Sequence, residues 1–148
     1  MISHWTHNEI SIDEPPVGAF GFIYLIEGCG RKYIGRKYLT KAASRSIKQK
    51  NGIRKQRKTR IESDWRTYMG SCKPLLEDIQ KTGKDNYTFR ILAWGYTKGQ
   101  VNALEVFAQI KAGVMVDPSF YNDAVGSGQF RGVKFTTEFK EIIRGLSV

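Results

Sequence analysis

The sequence predicts an α+β domain, a small three-stranded antiparallel sheet flanked by helices. Three observations predict it. Two short aromatic and β-branched runs, Phe22-Ile23-Tyr24 and Tyr33-Ile34-Gly35, stand on either side of the loop Gly28-Cys29-Gly30, the pattern of a β-hairpin. A third run, Tyr87-Thr88-Phe89-Arg90-Ile91-Leu92-Ala93-Trp94, has the same β-rich make-up. Helix-period stretches bounded by capping residues and glycines lie around that run, and the order ββ(α)αβα(α) packs helices on one sheet. At 148 residues the chain has the size of one domain. Its 41% apolar content supports a core, and 12% aromatic residues argue against disorder.

Residues 1–18 read as an irregular arm ending in Pro15-Pro16-Val17-Gly18, with the domain proper over 19–148. The hairpin occupies about 19–27 and 31–38. With Gly28-Cys29 as a two-residue turn, Glu27 faces Gly30 and Tyr24 stands opposite Tyr33, their Cβ atoms roughly 5 Å apart on one face. An insertion at about 40–61 is polar and basic, with Asn51-Gly52 as a turn. It reads as a short helix plus loop or as a mobile excursion. A short helix from Glu62 to Tyr68 breaks at Gly70. Ser71 is the expected N-cap of the next helix, with Pro74 in its first turn, Leu75, Leu76 and Ile79 on its apolar side, and a stop at Gly83. Thr97 caps a helix that runs to about Lys111 and ends at Gly113. Tyr121-Asn122 opens a loop containing Gly126, Gly128 and Gly132, and a last helix fits Thr137 to Arg144. Trp65 and Trp94 read as core.

Charge is distributed unevenly. Net charge is +10, yet residues 31–60 hold 13 of the 24 lysines and arginines and no acid. A block of this kind is the electrostatic footprint of a polyanion partner, because neutralised phosphates release condensed counterions. It lacks the amphipathic periodicity of a bilayer-bound helix. Lys41, Arg45, Arg54, Lys55, Arg57, Lys58 and Arg60, with Arg36 and Arg66 at its flanks, are the expected nucleic-acid contacts. No stretch approaches the roughly 20 apolar residues of a membrane span. The first 14 residues have no apolar h-region. Cys29 and Cys72 form neither a metal-ligand spacing nor a disulfide framework. A reducing, intracellular setting is expected.

Glu105 lies mid-helix on the stripe of Val101, Leu104 and Ala108, in a helix apolar on nearly every side. An ionised carboxylate there needs a cation, a metal or strong donors. A salt bridge, an edge glutamate reaching solvent and a metal or catalytic role all satisfy that need. The tyrosine pair, likewise, reads as a reactive site or as ordinary cross-strand aromatic packing.

Tyr33-Ile34-Gly35 resembles the second half of the GIY-YIG nuclease signature, and Phe22-Ile23-Tyr24 its first half in altered form. Trp65-x-x-Tyr68-x-Gly70-Ser71, Gly83, Glu105 and Tyr121-Asn122 extend the resemblance over roughly residues 20–123, closest to the small phage-encoded, homing-type members. The resemblance implies a DNA endonuclease in the cytoplasm of a phage-infected bacterial host. It implies Tyr24 as general base or proton relay, Tyr33 as the group orienting water or the scissile phosphate, and Glu105 as ligand of one Mg²⁺ or Mn²⁺. Asn122 would support the site, and Gly35 would admit a close backbone approach. A phenol with a pKa near 10 would need its pKa lowered by roughly 2–3 units, with help from nearby cations.

One departure stands out. The family places an arginine four residues before an aromatic on its first helix; four residues before Tyr68 stands Asp64. Lys37, then Arg36, and Arg66 on the short helix are the expected replacements. A scaffold that only binds nucleic acid, or a module binding an acidic protein or membrane, are the competing functions. His4, His7 and Glu9 form a loose set read as part of the arm. Phe130-Arg131 is a possible DNA contact. No small-molecule cofactor is expected, and monomer and homodimer stay open.

Overall fold

The computed structural model of the chain describes residues 2–126, 134 and 136–148, and of Arg45 the backbone alone. Phe130-Arg131 and the glycines Gly128 and Gly132 lie outside the described residues.

The chain is α+β, as expected, but its main sheet has five strands rather than three. The strands are β1 (Thr6–His7), β2 (Ile10–Ser11), β3 (Gly21–Gly28), β4 (Arg31–Tyr38) and, after a separate ribbon of β5 (Thr40–Lys48) and β6 (Arg54–Glu62), β7 (Tyr87–Gly95), in the order β2-β1-β7-β3-β4. The three expected strands form the antiparallel centre. β1 lies parallel to β7 at Thr6↔Arg90, and β2 folds back on β1. The first 18 residues are thus no irregular arm. Trp5 is fully buried against Phe22, Tyr24 and Phe89, and its indole Nε1 donates to the Trp65 carbonyl at 2.6 Å. Two-residue strands show no alternation, which is why pattern reading passes over them.

The hairpin register differs from the expected one by the placement of its turn. Cys29 and Gly30 both take positive φ, 53° and 77°, as a two-residue type I′ turn requires. Gly28 remains in the strand, where a Cβ would meet the Tyr87 ring at 2.4 Å. Gly28 therefore pairs with Arg31, Ile26 with Tyr33 and Tyr24 with Gly35. Tyr24 and Tyr33 are diagonal rather than opposed. They still share a face, with ring centroids 6.1 Å apart.

The basic insertion is neither helix nor excursion. β5 (Thr40–Lys48) and β6 (Arg54–Glu62) form an antiparallel ribbon paired from Thr40↔Glu62 to Lys48↔Arg54. Asn51-Gly52 lies in its turn, as expected, with Gly52 at φ 84°. Its base is stitched to β4: Ser63 donates from its N–H to the Leu39 carbonyl and from its hydroxyl to that of Tyr38. The expected helix over 62–68 is a turn instead, because Glu62 completes β6 and accepts from both Trp65 Nε1 and Arg66 Nε.

Helix α1 (Lys73–Thr82) starts one residue later than expected, with Cys72 rather than Ser71 at the N-cap, and stops at Gly83. Helix α2 (Lys98–Ala112) has the expected ends: the Thr97 hydroxyl accepts from Gln100 N–H, and Gly113 closes it in the left-handed region. α2 is covered on fewer sides than its composition indicates, with Phe107 and Ile110 exposed. Helix α3 (Thr137–Arg144) has the expected bounds. One core, with Phe22, Tyr24, Ile26, Trp65 and Trp94, lies on the α1 side of the sheet; the other, with Ile23, Leu25, Ile34, Leu104 and Phe139, lies on the α2 and α3 side.

His4 and His7 are fold residues. The His4 ring stacks on Phe89 with centroids 4.1 Å apart, and its Nε2–H donates to the Tyr68 carbonyl at 2.9 Å. Its Nδ1 is buried without a partner. Burial, then the Lys84 charge, lowers its pKa from 6.5 to about 4. Between those values the unfolded chain binds a proton that the native ring does not. The His4 contribution to stability is therefore fully present above pH 6.5 and lost as pH falls toward 4. In urea unfolding at pH 7 and pH 4.5, His4→Phe should lose less stability on acidification than the wild type; equal losses would sink the assignment.

Candidate active site at the open edge of the sheet

β4 is an edge strand, and an edge leaves alternate N–H and C=O groups unpaired. Residues 32, 34 and 36 present them, and each is answered differently. Lys32 bonds to the backbone of a passing segment: its N–H donates to the Ser119 carbonyl at 2.9 Å, and its carbonyl accepts from Tyr121 N–H at 2.7 Å. At Ile34 a side chain takes over. Asn122 Oδ1 accepts from Ile34 N–H at 3.0 Å, and Asn122 Nδ2 donates to the Ile34 carbonyl at 2.7 Å. The carboxamide acts as a peptide unit would. Gln109 Nε2 adds a second donor to that carbonyl at 3.1 Å, while Gln109 Oε1 accepts from Gly126 N–H. At Arg36 the partner is Glu105, whose carboxylate accepts from the guanidinium.

Where the backbone cover ends, a cavity of about 370 Å³ opens. Tyr24, Tyr33, Tyr68 and Ser71 line it from one face of the sheet. Arg36, Glu105 and Gln109 line it from the other, and Asn122–Gly126 closes the side. The two faces meet across Gly35, which has no side chain to separate them. A Cβ on Gly35 would lie 2.4 Å from the Tyr24 hydroxyl and 2.9 Å from the Tyr33 ring.

Glu105 is 7% exposed and meets Arg36 Nη1 at 2.5 Å through Oε1. Burial raises its pKa above the usual carboxylate range, against the pull of Arg36. Arg36 is held charged: burial works against its charge, and Glu105 more than offsets that. Of the readings open for Glu105, the salt bridge is present in this structure. Tyr24 is almost fully buried and packs edge-on against the Tyr68 ring; burial first, and then Tyr68 and Tyr33, hold its pKa well above 10. Tyr33 is pushed up to about 12, mainly by burial, with a Ser71 hydrogen bond pulling the other way. Both shifts oppose the lowering that a free phenolate base would need.

The other expected residues sort by geometry. Lys37 does not line the cavity. Its ammonium lies 2.6 Å from Asp64 Oδ1 and 3.8 Å from the centroid of the Tyr68 ring. Arg66 is also committed, to Glu62 and Glu14, to the Asp13 carbonyl and over the Trp65 ring. It does not line the cavity. Lys41, Arg54, Lys55, Arg57, Lys58 and Arg60, and the backbone of Arg45, are on the ribbon. Gln109, Ser71 and Asp123 line the cavity without having been singled out in the sequence; Gln109, a buried polar residue one turn after Glu105 on the same helix, carries the one signal that could have found them.

Among the described residues no three His, Cys, Asp or Glu side chains gather into a metal cage. A lone buried carboxylate in an open cavity nevertheless fits Mg²⁺, which keeps several waters and commonly takes one or two carboxylates together with substrate phosphate.

Fold and cavity together define a class, an α+β domain with paired tyrosines and a buried carboxylate gathered at the uncovered end of a sheet edge. The chain belongs to the GIY-YIG family of endonucleases, which are phosphodiester hydrolases: the family model described as "Putative endonuclease segE, GIY-YIG domain" matches residues 5–125. That span begins at the buried Trp5 and includes the ribbon, the cavity-lining tyrosines, Glu105 and Asn122. Searches of curated proteins and of solved structures gave no match.

Gly35→Ala should cost about 1–3 kcal/mol through overpacking against the two tyrosines. Adding Tyr24→Phe, which removes the nearest atom, should return part of that loss. Urea unfolding of the single and double variants measures both; a double variant whose two costs simply add would show that the hydroxyl and Gly35 are not in contact.

Proposed function

We propose that this chain is a divalent-metal-dependent endonuclease that hydrolyses phosphodiester bonds of double-stranded DNA at the β4 cavity. The observation carrying this reading is the convergence of Tyr24, Tyr33, Arg36 and Glu105 on one cavity whose edge strand continues into the basic ribbon. A setting in the cytoplasm of a phage-infected bacterial host rests on the family resemblance; no helix among the described residues is long and apolar enough to cross a membrane.

In this reading Glu105 holds Mg²⁺ or Mn²⁺. The ion, when bound, would stabilise charge on the phosphate and its leaving oxygen. The remaining steps belong to the chain. Tyr24, kept neutral by burial and packed against Tyr68, orients the attacking water and, as it takes up the water's proton, gives its own to solvent in the open cavity rather than standing as a free phenolate. Tyr33, the less buried of the two, reaches the phosphate. Arg36, which lines the cavity, supplies the cation that the family draws from its helix, in place of Lys37, which points away to Asp64. Asn122 and Gln109 are positioning residues that fix the Ile34 backbone next to Gly35.

A supercoiled-plasmid assay with Mg²⁺ or Mn²⁺ tests these roles. The wild type should nick or linearise the plasmid, and EDTA should abolish cleavage. Tyr24→Phe and Glu105→Gln should each lower the rate by roughly 10²–10⁴-fold, the usual weight of a positioned proton-transfer or charge-stabilising group. Arg36→Ala should fall with them, while Lys37→Ala should stay within about tenfold of the wild type, the size of one surface ion pair. The reverse order for the two cations would return the role to Lys37. Salt-sensitive DNA binding without cleavage by the wild type would identify a scaffold that only binds.

A further inference from the structure

The acid-free stretch 31–60 divides into two parts that behave differently. Its four cations on β4 all have carboxylate partners: Arg31 with Asp78, Lys32 with Glu27, Arg36 with Glu105 and Lys37 with Asp64. Of its nine cations on residues 41–60, none with a described side chain makes an ion pair. Every residue of β6 is exposed. Register sets Arg45 opposite Arg57 and Lys48 opposite Arg54, and like charges directly opposed destabilise a strand pair. A lone two-stranded hairpin is marginal in water to begin with. A ribbon of this charge is complementary to a polyanion.

The two faces of the ribbon differ in a way that plain phosphate binding would not require. On one face the small residues Ala42, Ser44 and Ser46 of β5 stand opposite Arg60, Lys58 and Gln56 of β6, with Lys48 and Arg54 at the tip. The other face carries Ile47, Thr59 and Ile61 among its cations. Arg60 is tied at the base to the hydroxyl and carbonyl of Thr40 and lies over Phe20, leaving Lys58, Gln56 and Arg54 of β6, with Lys48 of β5 at the tip, as the long side chains of that face beyond the base. Those residue types read base edges: Gln pairs with adenine N6 and N7, Arg or Lys with guanine O6 and N7, and Ser with either. The small β5 residues let the face approach closely. Nine residues of antiparallel strand span about 30 Å, and the major groove, about 12 Å wide, admits a two-stranded ribbon. β5 follows β4 after a single residue, and β6 leads back through Ser63 to Tyr68 at the cavity. One duplex can therefore lie in both.

We propose that the β5–β6 ribbon is the sequence-reading element, seated in the major groove of B-form DNA with Lys58, Gln56, Arg54, Ser44 and Ser46 toward the base edges. This rests on the DNA reading above. Its test is selection of duplexes from a randomised library by the full chain in EDTA, then dimethyl sulfate interference on a selected duplex, which probes guanine N7 in the major groove and adenine N3 in the minor. Selected duplexes should share a short motif in which N7 methylation blocks binding. Gln56→Ala should relax the preference at one position by roughly 5- to 150-fold, leaving the salt slope and the binding of unrelated duplexes near wild type. Absence of N7 interference, interference at adenine N3 alone, or a Gln56→Ala variant that keeps the full preference would overturn the proposal. Plasmid cleavage separates it from the nuclease reading: N7 interference without cleavage supports the ribbon and sinks the nuclease, and cleavage without N7 interference does the reverse.

Discussion

The site depends on how the free edge of β4 is satisfied. An edge strand must cover its unpaired groups or expose them to other chains. Here the cover changes from backbone at Lys32 to an amide side chain at Ile34 and to a carboxylate at Arg36. Each replacement is less like a strand than the one before, and the last leaves room for a cavity. Glu105 and Asn122 are consecutive members of one edge ladder, so the residues that complete the sheet also build the site. This explains how a carboxylate is tolerated on a buried helix face: it accepts from the guanidinium of Arg36 on the adjoining strand. Removing one member of such a pair leaves the other buried and uncompensated, which is commonly worth about 3–5 kcal/mol.

A second constraint is the absence of a side chain at Gly35. The sheet separates two cores, and a cavity using both must pass around its edge. Gly35 is the point where the Tyr24 hydroxyl, from the α1 side, comes within contact of the strand edge that Arg36 and Glu105 occupy from the α2 side. The same crowding buries Tyr24 and raises its pKa. Close packing and a reactive phenolate are therefore opposed here, and packing prevails in the protein alone. The hydroxyl is held in place and kept protonated, the state suited to orienting water and relaying a proton.

The sequence made the centre of this fold legible because its signals are local. Thr97 and Gly113 bound α2, Gly83 ends α1, and Tyr87–Trp94 alternates with strong β propensity. Glu105 was marked by a carboxylate on an apolar stripe. What escaped was decided over long distances. β1 and β2 have two residues each and exist because Trp5 finds a place beside Phe22 and Phe89. The hairpin register turned on whether Gly28 serves the turn or the packing against Tyr87, a residue 59 positions away. Arg36 and Lys37 are neighbours of equal charge, and their roles separate only because successive strand residues point to opposite faces. Arg36 meets α2, while Lys37 meets the Asp64 and Tyr68 turn that the ribbon brings back. Asn122 was found through family resemblance; its place in the ladder has no sequence signature.

The acids of the chain show how one basic stretch can be sorted into two functions. Asp64, just past the ribbon, holds Lys37, and Glu62, the last residue of β6, holds Arg66. Cations near the cavity are thereby fixed and partly neutralised by the protein itself, which limits like-charge repulsion around the Arg36–Glu105 pair. Between Thr40 and Ile61 no acid intervenes, so the potential of the ribbon beyond its base stays available to a ligand. With a Debye length of about 8 Å at physiological salt, a charge at the far end of a 30 Å ribbon is screened from the cavity. The ribbon can then govern where a duplex is held while exerting little direct pull on the ionisation of Glu105 or the tyrosines. In the proposed reading, binding at the ribbon and chemistry at the cavity would be linked through the Leu39–Ser63 stitch at its base, by geometry more than by field.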